Sequence, residues 1–219
     1  GLDRNDKVVV MIDSVGNLAS KKELEDAINE KSVADMSRAK ALKGLFRMTT
    51  PYLNMKNIPL IAVNHTYMEI GLFPKAIVSG GTGIYYSADN IWILGRQQDK
   101  QGTEVKGYHF VINVEKSRYV KEKSKIPISV SWDGGVQSYS GLLDVALTGN
   151  YVAKPSNGWY CRVDRTTGEL IDPRVREKDT LEEKFWLPIF ESTDFKDYIK
   201  SKFAIGGKSD NELVLEDTA

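Results

Sequence analysis

One cysteine and two histidines are the only thiol and imidazole side chains in 219 residues. Cys161 therefore cannot form an internal disulfide, and Cys161, His65 and His109 are spread too widely to read as a closed zinc site. No apolar run of about 18 residues occurs, and no apolar segment of the kind that marks a secretory leader stands near the start. Neither a membrane span nor a leader is expected, and a cytoplasmic setting is the default. Net charge is absent as well. Thirty basic residues cancel thirty acidic ones, so no overall field demands a nucleic-acid partner and any such site must be local. Also missing is GxxxxGK[ST], the motif whose bare amides and lysine grip nucleotide phosphates.

The apolar fraction of 41% is enough to build a core. Residues 7–12 are nearly all β-branched or apolar, which predicts a strand covered on both faces in a parallel sheet. From 21 to 48, apolar residues at Leu24, Ile28, Met36, Ala39, Leu42 and Phe46 fit one or two amphipathic helices, closed by Pro51. A second apolar strand spans 58–65, completing a strand-helix-strand crossover. Residues 66–89 show no periodicity and contain SGGTG at 79–83, which predicts a mobile loop. Segments 90–95, 108–118 and 125–132 read as three strands without room for a crossover helix between them, hence antiparallel neighbours.

The fold class expected is α/β, with a mixed parallel and antiparallel sheet, over residues 1–140. Residues 141–206 form a small α+β carboxyl-terminal domain, opened by a short helix at 141–147. Its core is drawn from Trp159, Tyr160, Phe185, Trp186, Phe190, Phe195 and Tyr198. Residues 207–219 read as a frayed acidic tail.

In an open α/β sheet, ligands collect where the parallel strands end. Asp13, Asn64 and His65 stand at those ends. An acid there can hold the Mg²⁺ that bridges nucleotide phosphates, with Ser14 in the same water shell; equally, an aspartate can simply start the turn after a core strand. Lys116 and Arg118, two apart on an expected strand, share a face and can converge on one anion, or form a solvated cationic edge.

Taken together, KVVVMIDSVGNLASKKE, MSRAKALKGLF, IPLIAVNHTY, SGGTGIYYSADNIWILG, NVEKSR, DGGVQSYSGLLDVAL and NGWY resemble the recombinases of the RecA type. The likeness is greatest to those of T4-like bacteriophages and covers roughly residues 7–206. It implies a DNA-dependent ATPase that uses ATP and Mg²⁺, coats single-stranded DNA as a helical homo-oligomeric filament, and exchanges it with a homologous duplex. If phage-encoded, the protein would act in the host cytoplasm. The resemblance also implies that this sequence begins before the second phosphate-site motif, without the amino-terminal half that carries the P-loop and the catalytic glutamate. The chain alone is then expected not to turn over ATP, and its partner is the missing half or a full-length recombinase. The P-loop strand is expected between the strands ending at Asp13 and Asn64.

By the same resemblance, Asp13 is the metal-shell acid and Asn64 with His65 senses the terminal phosphate. His65 replaces the glutamine of the prototype, and Arg118 replaces a lysine. Lys116 and Arg118 are the basic pair that reaches the neighbouring subunit's nucleotide. DNA contact is expected from two loops, the first within 18–36 with Arg38 near its end, the second over 67–83. In the second, Tyr67 and Phe73 can stack on or wedge between bases, Lys75 supplies charge, and Gly80, Gly81 and Gly83 supply bare amides. The other class of function is a non-catalytic truncated paralogue that caps or modulates a recombinase filament. Replacing Lys75 with alanine should weaken single-stranded DNA binding and lower its salt slope by about one. Fluorescence anisotropy across a salt series checks this, and an unchanged affinity and slope would reject the assignment.

Overall fold

Backbone groups in a buried apolar segment must pair with one another, and the two apolar runs near the start of the chain do so. In the computed structural model, which describes residues 6–29, 37–72, 74, 76–101 and 104–206, β1 (Val10–Ile12) runs parallel to β2 (Leu60–Ala62). The register pairs Val10 with Leu60, Met11 with Ile61 and Ile12 with Ala62. Two helices lie between these strands, α1 (Lys21–Ile28) and α2 (Ser37–Met55). α2 continues through Pro51, where the sequence pointed to a stop. Only the final four residues follow that proline, so the bond lost to the Arg47 carbonyl interrupts the helix only at its last turn.

Among the described residues of 66–89, regular elements stand where the sequence pointed to a loop. β3 (Thr66–Met68) and β4 (Ala76–Val78) form an antiparallel hairpin, and α3 (Thr82–Ser87) follows. Strands of three residues are too short to display an alternating pattern, which is why the sequence showed none. Val15, Leu42, Phe46 and Ile84 form the core here, with Ile12 and Leu60 packed on it. The expectation of strands covered on both faces is corrected. Met11 and Ile61 on the opposite face remain 70% and 52% exposed, so among the described residues the parallel pair is covered on one face.

Between Asp89 and Asn90 the chain divides into two compact units. The second contains β5 (Asn90–Gln101), β6 (Glu104–Ser117), β7 (Lys125–Ser131) and β8 (Gly135–Val136) in one antiparallel sheet of that order. Parallel and antiparallel pairings thus both occur, in separate sheets. After α4 (Leu142–Thr148) come β9 (Val152–Ser156), β10 (Trp159–Val163) and β11 (Leu170–Arg176), a three-stranded antiparallel sheet with β10 central. α5 (Glu183–Ser192) and α6 (Phe195–Phe203) close the unit.

The aromatic residues form its core. Trp186 is fully buried, lies 5.9 Å from Phe195 in a near-parallel stack, and donates its indole N–H to the Thr180 carbonyl. That bond satisfies the one polar atom of the largest core side chain. Partly buried Tyr139 and Leu142, on either side of the expected boundary at residue 140, both pack against this core, and that boundary lies inside the second compact unit. The tail expected over 207–219 lies outside the described residues. Among the described residues, no helix is long and apolar enough to cross a membrane.

Cys161 is fully buried on β10, and burial pushes its thiol above the usual range, so it stays protonated at neutral pH. A thiol reagent at pH 7 should label Cys161 on the order of a hundredfold more slowly in the native protein than in urea. Equal rates would show that β10 is not held in this core.

Candidate functional site

Parallel pairing brings the two strand ends to the same height. Past the last paired residues, the Val63 amide donates to the Ile12 carbonyl and the Val15 amide to the Val63 carbonyl, each at 2.9 Å. Asp13 is exposed at this edge, while Ser14 and Val15 are buried beneath it. The Asp13–Ser14 peptide is cis, and a short 3-10 helix follows over Val15–Asn17. The arrangement corrects the expected strand order, since the strands ending at Asp13 and Asn64 pair directly with no strand between them.

His65 lies against this turn. A Cβ built on Gly16 would stand 2.6 Å from His65 Cδ2 and 3.2 Å from Nε2, so the imidazole occupies the space that a side chain at position 16 would need. Asn64 is engaged with the backbone. Its Nδ2 donates to the Ser79 carbonyl at 2.7 Å, and its Oδ1 accepts from the His65 amide at 2.9 Å. The Ser79 amide in turn donates to the His65 carbonyl at 2.9 Å. Asn64 thus fastens the end of β2 to the end of the β3–β4 hairpin and fixes the backbone that carries His65. Asp13, Ser14, Asn64 and His65 are brought together as one group.

Arg38, at the start of α2, also joins this group. Its Nε donates to the Leu18 carbonyl at 3.0 Å, and its Nη2 to the carbonyls of Val15, at 3.2 Å, and Gly16. Three backbone acceptors at the end of the 3-10 turn, two of them carbonyls within it, are satisfied by one guanidinium.

The hairpin leads away from His65 and returns at Ser79. Tyr67 is 56% exposed, and Ile70 and Leu72 near the tip are almost wholly exposed. Phe73 and Lys75 lie outside the described residues. Gly80 and Gly81 adopt φ of 91° and 80°, which favours glycine at both positions. Gly83 is buried instead, because a Cβ there would stand 2.6 Å from Lys43 Cβ. Its missing side chain allows α3 to approach α2.

In the second unit, Lys116 sits on β6 opposite Ile91, but β6 ends at Ser117 and Arg118 lies in the bend beyond. Alternation along a strand therefore does not by itself set the two basic side chains on one face. Ser117 sets that bend. Its buried hydroxyl donates to Asn90 Oδ1 at 2.7 Å and accepts from the amides of Tyr119 and Val120 at 3.1 and 3.2 Å. Sequence reading passed over Ser117, Gly16 and the clamp made by Arg38. Serine between two basic residues was a visible signal for a side-chain turn, whereas the other two contacts depend on tertiary placement.

Residues 139–199 match the family described as the carboxyl-terminal domain of the bacteriophage T4 recombination and repair protein. Over 217 residues the chain is 54% identical to the recombination and repair protein of Enterobacteria phage T4, covering 97% of this chain and 56% of that protein. Protein RecA of Bdellovibrio bacteriovorus is 26% identical over 69% of this chain and 40% of its own length. Protein RecA of Clostridium acetobutylicum is 23% identical over 83% and 55%. The chain spans about half the length of the curated relatives it matches.

Ser117→Ala leaves two backbone amides and the Asn90 side chain without their shared partner. It should cost about 1–3 kcal/mol of stability. Ser117→Thr, which keeps the hydroxyl, should recover most of it. Chemical denaturation of the three proteins checks this, and equal midpoints would remove Ser117 from the turn.

Proposed function

Because the chain is homologous to the T4 recombination and repair protein and to RecA, we propose that it is a portion of an ATP-dependent recombinase. It binds single-stranded DNA, assembles as a helical filament, and exchanges strands with a homologous duplex. The observation that carries this reading is the seating of Asp13 and His65 at adjacent parallel strand ends, with a hairpin running directly out of His65.

Among the described residues no group of three or more metal-binding side chains occurs, and Asp13 is an exposed carboxylate. That suits Mg²⁺, which keeps most of its water and takes one or two carboxylates together with phosphate oxygens. When bound, the ion neutralises charge on the phosphates of ATP. Asp13 would hold it, with Ser14 setting the backbone behind the carboxylate. His65 donates a hydrogen bond to the terminal phosphate, and Asn64 holds its backbone in place. Lys116 and Arg118 reach the nucleotide of a neighbouring subunit, where the forked guanidinium offers two donors to one phosphate.

A shift at His65 is felt at both ends of the hairpin, because its carbonyl accepts from Ser79 and its neighbour Asn64 grips the Ser79 carbonyl. Nucleotide state therefore sets the hairpin's position. Tyr67, with Phe73 and Lys75, engages single-stranded DNA, bases stacking on aromatic faces and phosphates meeting charge and the amides of Gly80 and Gly81.

Titrating the chain into labelled single-stranded DNA, with and without a slowly hydrolysed ATP analogue, tests the reading. The expected result is an affinity that falls linearly with salt on logarithmic axes. Absence of binding at about 50 mM salt in both conditions would overturn the DNA-binding assignment and favour a non-catalytic filament modulator.

A further inference from the structure

Arg38 was expected at the end of a DNA-contacting loop, yet its guanidinium is turned onto the backbone of the segment that follows Asp13. Its Nε and Nη2 together reach the carbonyls of Val15, Gly16 and Leu18. Gly16, at the centre of that turn, has no side chain and carries the His65 ring in the space left over. One face of the turn is thus held by Arg38, while the bare Cα of Gly16 receives the imidazole.

We propose that Arg38 is a positioning residue for the Asp13–His65 group and not a DNA contact, and that Gly16 is the seat of the His65 ring. A 3-10 turn of three residues holds few internal bonds, so its carbonyls need outside donors to keep one geometry. Arginine suits the task because its planar fork can serve several acceptors at once, which a lysine ammonium on a flexible stem does less well. Alanine at position 16 would be tolerated by the backbone, since Gly16 does not have a positive φ. Its Cβ would meet the ring of His65 and displace it. The functional weight of this arrangement rests on the reading of His65 as the phosphate-sensing group; the geometry itself does not.

Two measurements on the full chain separate the possibilities. The first is the NMR cross-peak of the His65 Cδ2–H, compared among the parent, Arg38→Lys, Arg38→Gln and Gly16→Ala. It should move in all three variants, and an unmoved cross-peak in both Arg38 variants would overturn the clamp. Arg38→Lys keeps the charge and most of the volume, so it remains informative if Arg38→Gln does not fold. The second is the salt dependence of single-stranded DNA binding. A positioning role leaves the slope of Arg38→Gln at the parent value, whereas a slope lower by about one would return Arg38 to DNA contact and overturn the proposal.

A thermal-melt cycle then tests the seat. In a His65→Ala background, Gly16→Ala should cause no further loss of stability, and a loss equal to that in the parent would overturn the contact. If the parent chain binds no DNA, the recombinase reading fails at that point while the cross-peak and the melt cycle still decide the placement of Arg38 and Gly16.

Discussion

The parallel pairing of β1 with β2 is the constraint from which the candidate site follows. Side chains alternate along a strand, so a slip of β1 by one residue against β2 would turn Ile12 out of the core and put Met11 in its place. The core of Val15, Leu42, Phe46 and Ile84 resists that slip. Because the register is fixed, Asp13 and Asn64 leave the sheet side by side. The two turns beyond them are then close enough for the Val15 amide to reach the Val63 carbonyl. Everything placed around the exposed carboxylate depends on that shared height.

Beyond the paired strands, the site is held by polar side chains bonded to backbone. Arg38 holds the turn after Asp13, Asn64 holds the root of the hairpin, and Ser117 holds the bend that carries Arg118. A neutral bond of this kind has a net worth of about 1 kcal/mol and a guanidinium bond about 1.5–3, whereas the aromatic core sums several buried side chains at about 1.5–3 kcal/mol each. Such junctions keep a defined geometry yet can be rearranged by a ligand of ordinary affinity. The aromatic core around Trp186 cannot be rearranged so cheaply, since its side chains are buried and packed on several sides. A phosphate arriving at His65 would meet the adjustable part of the molecule.

The sequence made most of the regular structure legible, for reasons that lie in periodicity. The helix around Leu42 and Phe46, the antiparallel strands around Val114 and Ile128, and the aromatic core around Trp186 all carry patterns longer than one turn or one hairpin. The β3–β4 hairpin was not legible, because three residues cannot show alternation. Coverage of β1 was misread, since an apolar residue at Met11 looks the same in sequence whether buried or bare. Asp13, Asn64 and His65 could be singled out because each stands where an apolar run stops. Gly16 and Arg38 could not, as one matters for what packs into its missing side chain and the other for carbonyls about twenty residues away.

The carboxyl-terminal part of the second unit has a bearing on the basic pair that burial alone would not suggest. Just past Arg118, the Lys121 amide donates to the Phe203 carbonyl at 2.8 Å, and Val120 pairs with Ala204. Phe203 ends α6, whose Phe195 and Tyr198 are buried in the aromatic core. The bend is thus fixed at one end by Ser117 on the long antiparallel sheet and at the other by the last turn of α6. An isolated bend of this length would sample many geometries. Tied at both ends, it holds Arg118 at a defined exit from β6, and the aromatic core reaches the candidate phosphate-binding pair through two residues of backbone.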